Sequence, residues 1–144
     1  MSIKQISVFL ENKPGALSHM TSVLAAHSVD LRALSMAETK DFGIVRLIVD
    51  DVLAATTVLK DADFIASLTS VLAFEVPDET GGLYKLLDTF NQAKVNIEYM
   101  YSFLGGKHTS KAYMIFRVAD TAAAEAALVN KNLKPLKQED IADL

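Results

Sequence analysis

The 144-residue chain is 51% hydrophobic and carries 14 Lys and Arg against 18 Asp and Glu, a formal net charge of −4. That balance gives nucleic acid no basic face, and charge or Gly interrupts every apolar stretch well before the roughly 18 residues a membrane span needs. Cysteine is absent, which removes disulfides, thiolate nucleophiles and CxxC metal sites together; with no cleavage pattern in the opening MSIKQISVFL, the chain reads as a cytoplasmic protein.

Apolar residues at every second position, Ile6, Val8 and Leu10, predict a first strand over 3–10. A helix over 15–27 follows, with Leu17, Met20, Leu24 and His27 on one stripe. Strands are expected over 29–38 and 42–49, then a helix over 51–61 with Asp51 as its N-cap, and a strand over 64–69. The order then repeats. A strand over 70–77 leads to a helix over 82–93 with Leu83, Leu86, Phe90 and Ala93 on its stripe. Strands over 95–104 and 110–118, a helix over 120–130 capped by Asp120 and a strand over 133–137 complete the second half.

The repetition is in register. At an offset of 66 residues Gly15 falls on Gly81, Leu17 on Leu83, Leu24 on Phe90 and Leu31 on Ile97; the offset then grows to 69, so that Val49 falls on Val118 and Asp51 on Asp120. The extra residues lie in the hairpin loop LGGKHTSK, where insertion is cheap. Each half therefore reads βαββαβ, the ferredoxin-like order with helices on one sheet face. The fold class is α+β, with domains at 1–69 and 70–144. No Pro, Gly or Ser linker separates the halves, and units of that size have thin cores alone, so the two are expected to join side by side into one extended antiparallel sheet.

Residues suited to catalysis are few. His19 reads as a solvated helix residue, His27 as a partly buried packing residue and His108 as exposed in its loop, and none has triad spacing. Of Asp50 and Asp51, one caps a helix and solvent takes the other. No metal, P-loop or zinc-protease spacing occurs. The expectation is a protein with no catalytic residues, no metal and no cofactor. The loops Asn12-Lys13-Pro14-Gly15-Ala16 and Asp78-Glu79-Thr80-Gly81-Gly82 each join a first strand to a first helix, where Gly permits close approach and free N–H groups attract a carboxylate. Read alone, each loop favours a plain strand-to-helix turn.

The repeat resembles the ACT domain, a small regulatory module that binds amino acids. Its D/N-x-P-G-x-L loop is matched by Asn12 to Leu17, with Val29-Asp30-Leu31 opening the second strand, and again by Asp78 to Leu83 with Val95-Asn96-Ile97. Thr80 replaces the usual Pro, and Ser28 and Lys94 stand where the family has Gly before the second strand. The resemblance covers nearly the whole chain and implies a non-catalytic sensor of a free amino acid, bound between ACT domains, with an enzyme of amino-acid metabolism as the regulated partner. It carries ligand-holding roles to Asn12, Lys13, Pro14, Gly15, Ala16 and Leu17, and to Asp30, Leu31, Asn96 and Ile97 at the second strands. Asp78, Thr80, Gly81, Gly82 and Leu83 complete the set. Asn12 would work with Asn96, and Asp78 with Asp30. Two Asn suit a zwitterion, whereas two Asp repel its carboxylate.

Competing readings are weaker. An RNA-binding module wants basic residues beside the aromatics of the middle strands, and an acylphosphatase-like enzyme wants an Arg in its first loop. An interaction or oligomerisation module without a ligand remains the alternative. Counting by twos puts Phe9, Leu34, Met36, Ile44, Ile48, Met100, Leu104, Tyr113 and Ile115 on the face opposite the helices. So apolar a face predicts a cover, and a homodimer is the simplest.

Overall fold

The computed structural model describes residues 2–104 and 110–144. His108 and most of the second hairpin loop lie outside the described residues. The chain forms two compact units, one of residues Lys4–Thr69 and one of Ser70–Leu144 together with the N-terminal residues through Ile3.

The first unit runs β1 (Ile3–Glu11), α1 (Ala16–Ala26), β2 (Leu31–Glu38), β3 (Phe42–Val49), α2 (Val52–Asp61) and then β4 (Ile65–Pro77), which it contributes through Thr69. β3 pairs antiparallel with β1, Val8 facing Val45, and with β2, Leu34 facing Leu47. The core is the inward set that period two selects: Ile6, Val8, Leu10, Val45, Leu47 and Val49 meet Met20 and Leu24 of α1 and Ala55 and Leu59 of α2. Both helices therefore lie on one face of their strands.

The second unit takes over β4 from Ser70 and continues with α3 (Gly82–Gln92), β5 (Tyr99–Ser102), β6 (Lys111–Arg117), α4 (Thr121–Val129) and α5 (Gln138–Asp143). β6 pairs antiparallel with β4, Phe74 facing Met114, and with β5, Met100 facing Phe116. Its core replaces aliphatic groups with aromatic ones. Phe74 meets Phe90 edge-on at 5.6 Å between ring centroids, and Phe90 lies 4.7 Å from Phe116. The α+β class and the βαββαβ organisation expected from the sequence are present.

Four expectations are corrected. No strand forms over 133–137. Pro135 has no N–H to give a ladder, and the segment makes one strand-like bond, from the Leu136 N–H to the Ala73 carbonyl at 2.7 Å. The tail beyond it is α5, with Ile141 fully buried. The strand expected over 95–104 shrinks to Tyr99–Ser102. Leu34, Met36 and Met100 sit on the helix side: Leu34 and Met100 pack on the two cores, and Met36 pairs with the core residue Val45. For Leu34 and Met36 the cause is a shift of register between Leu31 and Ala33, past which counting by twos names the wrong face; Met100 lies on the short β5, opposite the core residue Phe116. On the face away from the helices, Ile48, Tyr113 and Ile115 are buried within the described chain, while Phe9 is exposed.

The repeat survives in the backbone. Positive φ recurs at matching positions: 86° at Gly15 and 83° at Gly81, 58° at both Ser28 and Lys94, and 66° at Asp63 and 61° at Asn132. The family Gly at the second of these positions is thereby explained, because Ser28 and Lys94 occupy the left-handed region that Gly enters freely.

Candidate functional site

Each loop between a unit's first strand and first helix is anchored the same way. The Asn12 N–H donates to the Asp41 carbonyl at 2.9 Å, and the Asp78 N–H to the Ser110 carbonyl at 2.9 Å. The chain then turns through Gly15 or Gly81, left-handed N-caps with no side-chain hydrogen bond to the helix and no acidic residue in the first turn. An added Cβ on either Gly would meet nothing within 4 Å, so backbone conformation alone selects Gly there. The Ala16 N–H donates to the Lys13 carbonyl at 3.3 Å and is occupied. Those of Leu17 and Ser18, and of Leu83 and Tyr84 in the second unit, have no acceptor among the described residues. By contrast α2 and α4 are capped: Asp51 accepts from the Ala54 N–H and Asp120 from the Ala123 N–H, both at 3.0 Å. The two uncapped helix starts are therefore those with positive electrostatic potential to spare.

The polar side chains of these loops differ. The Asn12 amide donates to the Glu38 carboxylate at 3.1 Å and to the carbonyls of Thr39 at 3.2 Å and Lys40 at 3.4 Å, tying the loop to the β2–β3 turn. Its carbonyl oxygen makes no hydrogen bond among the described residues. Lys13 pairs with Glu11 at 2.9 Å on the surface, and Pro14, Gly15 and Thr80 are exposed. Gly82 is buried, and a Cβ there would collide with the Pro77 carbonyl oxygen, where the first unit holds Ala16. The second loop is thus drawn closer to its strand.

Beside each loop lies a hollow, and the two are repeat-related. In the first unit a 330 Å³ hollow is bounded by Phe9, Lys13, Ala16, His19, Phe42 and Phe64, with the His19 ring 5.4 Å from that of Phe64. In the second, a 250 Å³ hollow has Glu75, Glu79, Gly82, Lys85 and Leu133 at the corresponding places.

At the second strands, Asp30 is held: its carboxylate accepts from Arg32 at 2.9 Å, and its backbone N–H donates to Asp50 Oδ1 at 2.9 Å. Asn96 is exposed, with no hydrogen bond among the described residues, and lines a third hollow of 260 Å³ with Lys94, Ala119, Asp120 and Ala123. Leu31 packs on the first core and Ile97 on the second. Among the described residues no cluster of His, Asp and Glu could hold a metal ion, and no helix is long and apolar enough to cross a membrane. His27 is not the packing residue expected: it is exposed at the C-terminus of α1, its Nδ1 2.9 Å from the Val23 carbonyl oxygen. Nor is Asp50 left to solvent, since its Oδ1 accepts the N–H groups of both Asp30 and Asp51. That role went unread in the sequence, although the repeat offset, by laying Ala119 on Asp50, carried the signal.

The model of the ACT domain pair family matches residues 1–144. A crystal structure of the protein BT0572 from Bacteroides thetaiotaomicron superposes with a TM-score of 0.90 at 38% identity, covering 100% of this chain and 98% of that one. The ligand-free regulatory subunit of aspartate kinase from Thermus thermophilus gives a TM-score of 0.67 at 16% identity over 90% of each chain. That from Thermus flavus gives 0.54 at 14% identity over 88% of this chain and 90% of that one, and at these identities the likeness is one of fold. No curated protein matches the sequence.

Proposed function

The chain belongs to the ACT domain pair family, and from that premise we propose that it is a regulatory sensor of a free amino acid, performing no chemistry itself. The observation that carries the reading is the pair of uncapped helix starts at Gly15 and Gly81, each beside a hollow of amino-acid size. Open N–H groups there suit a carboxylate.

In this reading residues 1–69 and 70–144 are the two ACT domains, and Asn12 and Asn96 hold the preferred ligand. The Asn12 carbonyl oxygen accepts from the ligand's ammonium while its own amide stays on the β2–β3 turn, and the N–H groups of Leu17 and Ser18 face the carboxylate. Lys13 to Leu17 and Ile97 shape the surroundings. Asp30, Leu31, Asp78, Thr80, Gly81, Gly82 and Leu83 form the weaker counterpart, with Asp30 engaged by Arg32. Ligand binding favours one arrangement of domains or partners, and that preference is the signal passed to an enzyme of amino-acid metabolism in the cytoplasm. A second copy of the chain completes the assembly.

A thermal-shift series over the proteinogenic amino acids at millimolar concentration tests this. A ligand far above its dissociation constant stabilises by a few kcal/mol, on the order of 2.7 at a hundredfold excess. One or a few amino acids should raise the melting temperature. A flat response to all of them overturns the sensor reading in favour of an interaction module.

A further inference from the structure

The two units share three backbone features around the start of the second strand segment and the second helix. Ser28 and Lys94 share a φ of 58°, the Val29 N–H donates to Leu24 at 3.0 Å as the Val95 N–H does to Phe90 at 2.9 Å, and the N-caps Asp51 and Asp120 have φ, ψ of −127°, 96° and −125°, 96°. Two things differ: β5 starts at Tyr99, two residues later than the repeat of β2 would, without a counterpart among the described residues to the bond from the Asp50 N–H to the Asp30 carbonyl, and the side chain between the segments is changed. In the first unit the Asp50 carboxylate sits between the two segments, its Oδ1 accepting the Asp30 and Asp51 N–H groups, each at 2.9 Å. In the second unit the corresponding residue is Ala119, and the N–H groups of Asn96 and Asp120 have no acceptor among the described residues. The space is a 260 Å³ hollow floored by Ala119, Ala123 and Ala127, with Lys94, Asn96 and Asp120 supplying its polar atoms.

We infer that this hollow binds a small carboxylic acid, whose carboxylate takes the place that the Asp50 side chain fills in the first unit. A backbone built to wrap a carboxylate keeps its donors when the carboxylate is deleted, and because Asn96 and Asp120 are exposed those donors are open to an incoming anion. The volume equals that of about eight waters at roughly 30 Å³ each, room for a small acid, and the alanine floor suits a short aliphatic chain. Asp120 is no bar to a second carboxylate, because Asp50 and Asp51 already stand side by side with each accepting N–H bonds. Lys94, where the first unit has Ser28, adds a cation. The site lies wholly in the second unit and uses neither the Asn12 nor the Asp78 loop; it shares Asn96 with the sensor reading, through the backbone N–H rather than the side-chain amide.

The test is amide NMR on the ¹⁵N-labelled full chain, titrated with sodium propionate and with alanine against sodium chloride of equal ionic strength. The Asn96 and Asp120 amide protons should move downfield saturably. A response to propionate identifies a plain carboxylic acid as sufficient, whereas a response to alanine alone makes the ligand a zwitterion that also uses the Asp120 carboxylate. Ala119→Asp should supply the missing carboxylate internally, placing both amides downfield without ligand and weakening the response at least tenfold. Ala123→Leu, which fills the hollow from the helix, should abolish it too and serves if the first variant does not fold. No saturable shift at these two amides in the unmodified chain, or an undiminished response in a folded variant, overturns the inference. A thermal-shift series flat for every amino acid would leave a propionate response untouched, so the two readings fail separately.

Discussion

Asp50 and Asp30 hold each other at two points: the Asp50 carboxylate accepts the Asp30 N–H at 2.9 Å, and the Asp30 carbonyl accepts the Asp50 N–H at 3.1 Å. The carboxylate also takes the Asp51 N–H, which fixes the entry to α2. Asp50→Ala removes the acceptor from two N–H groups at a half-buried position and should cost about 1 to 2 kcal/mol. Urea unfolding should show a lower midpoint at unchanged slope. An unmoved midpoint would mean that water replaces the carboxylate without loss.

Left-handed residues give a pair of opposed predictions. Ser28 and Lys94 hold φ of 58° without being Gly, so Ser28→Gly and Lys94→Gly should each stabilise by about 0.5 to 1 kcal/mol as the Cβ strain is relieved. Gly15→Ala and Gly81→Ala should each destabilise by about 1 to 2 kcal/mol, from conformation alone, because the new methyl meets no neighbour. Gly82→Ala is a different case, since its Cβ collides with the Pro77 carbonyl. It should destabilise more than Gly81→Ala in the same thermal melts. The reverse order would contradict the close approach of the second loop.

These positions also show what was legible in the sequence. The strands, the helices and their repeat followed from apolar periodicity, because a buried face imposes period 2 or 3.6 on side chains wherever the backbone is regular. Reading failed where the backbone is irregular. The register shift at Arg32 turned Leu34 and Met36 to the other face, and Pro135 cost the last strand its ladder. The loops at Asn12 and Asp78 were visible because Gly and Pro mark turns. The Asp50 carboxylate between two segments was not, because periodicity says nothing about hydrogen bonds from a side chain to backbone twenty residues away.

Asn12 has two ends with different duties, and substitution should separate them. Its amide holds Glu38 and the β2–β3 turn, all on the surface, so Asn12→Ala should lower stability by less than about 1 kcal/mol. Loss of its carbonyl from a desolvated ligand should weaken binding by about 1 to 3 kcal/mol, roughly five- to 150-fold. Calorimetric titration with the amino acid found by thermal shift measures the effect. Asp78→Ala should cost less. Equal losses from the two substitutions would contradict an asymmetry between the sites.

Tyr113 gives a pH dependence. It is buried across the strand pair from Glu75. Burial chiefly, and then the Glu75 charge, push its phenol above the ordinary value near 10, with Lys111 opposing. A folded-state value above the unfolded one means the unfolded chain loses its proton first. The stabilisation is therefore fully present below about pH 10 and is lost as pH rises through the folded value. Alkaline melts should show stability falling in that range, and Tyr113→Phe should fall less steeply than the parent. Parallel curves would remove Tyr113 as a cause.

Assembly is the last expectation, and its basis has moved from where the sequence placed it. Ile48, Tyr113 and Ile115 are already buried, so the face opposite the helices does not need covering there. The first unit nevertheless exposes Phe9 by 46%, Phe42 by 58%, Ile65 by 70% and Leu68 by 52%. Phe9, Phe42 and Ile65 also border the 330 Å³ hollow, so they form one neighbourhood rather than scattered single residues. An apolar grouping of this kind marks a contact surface, and each large side chain removed from water contributes about 1.5 to 3 kcal/mol. Sedimentation at micromolar concentration should therefore give twice the 15.7 kDa chain mass. Phe9→Asp should weaken the dimer at least tenfold, since a charge replaces buried ring area. A monomer at every concentration would leave the exposed phenylalanines to the ligand hollow instead, and Phe9→Asp would then weaken amino-acid binding without changing the sedimentation coefficient.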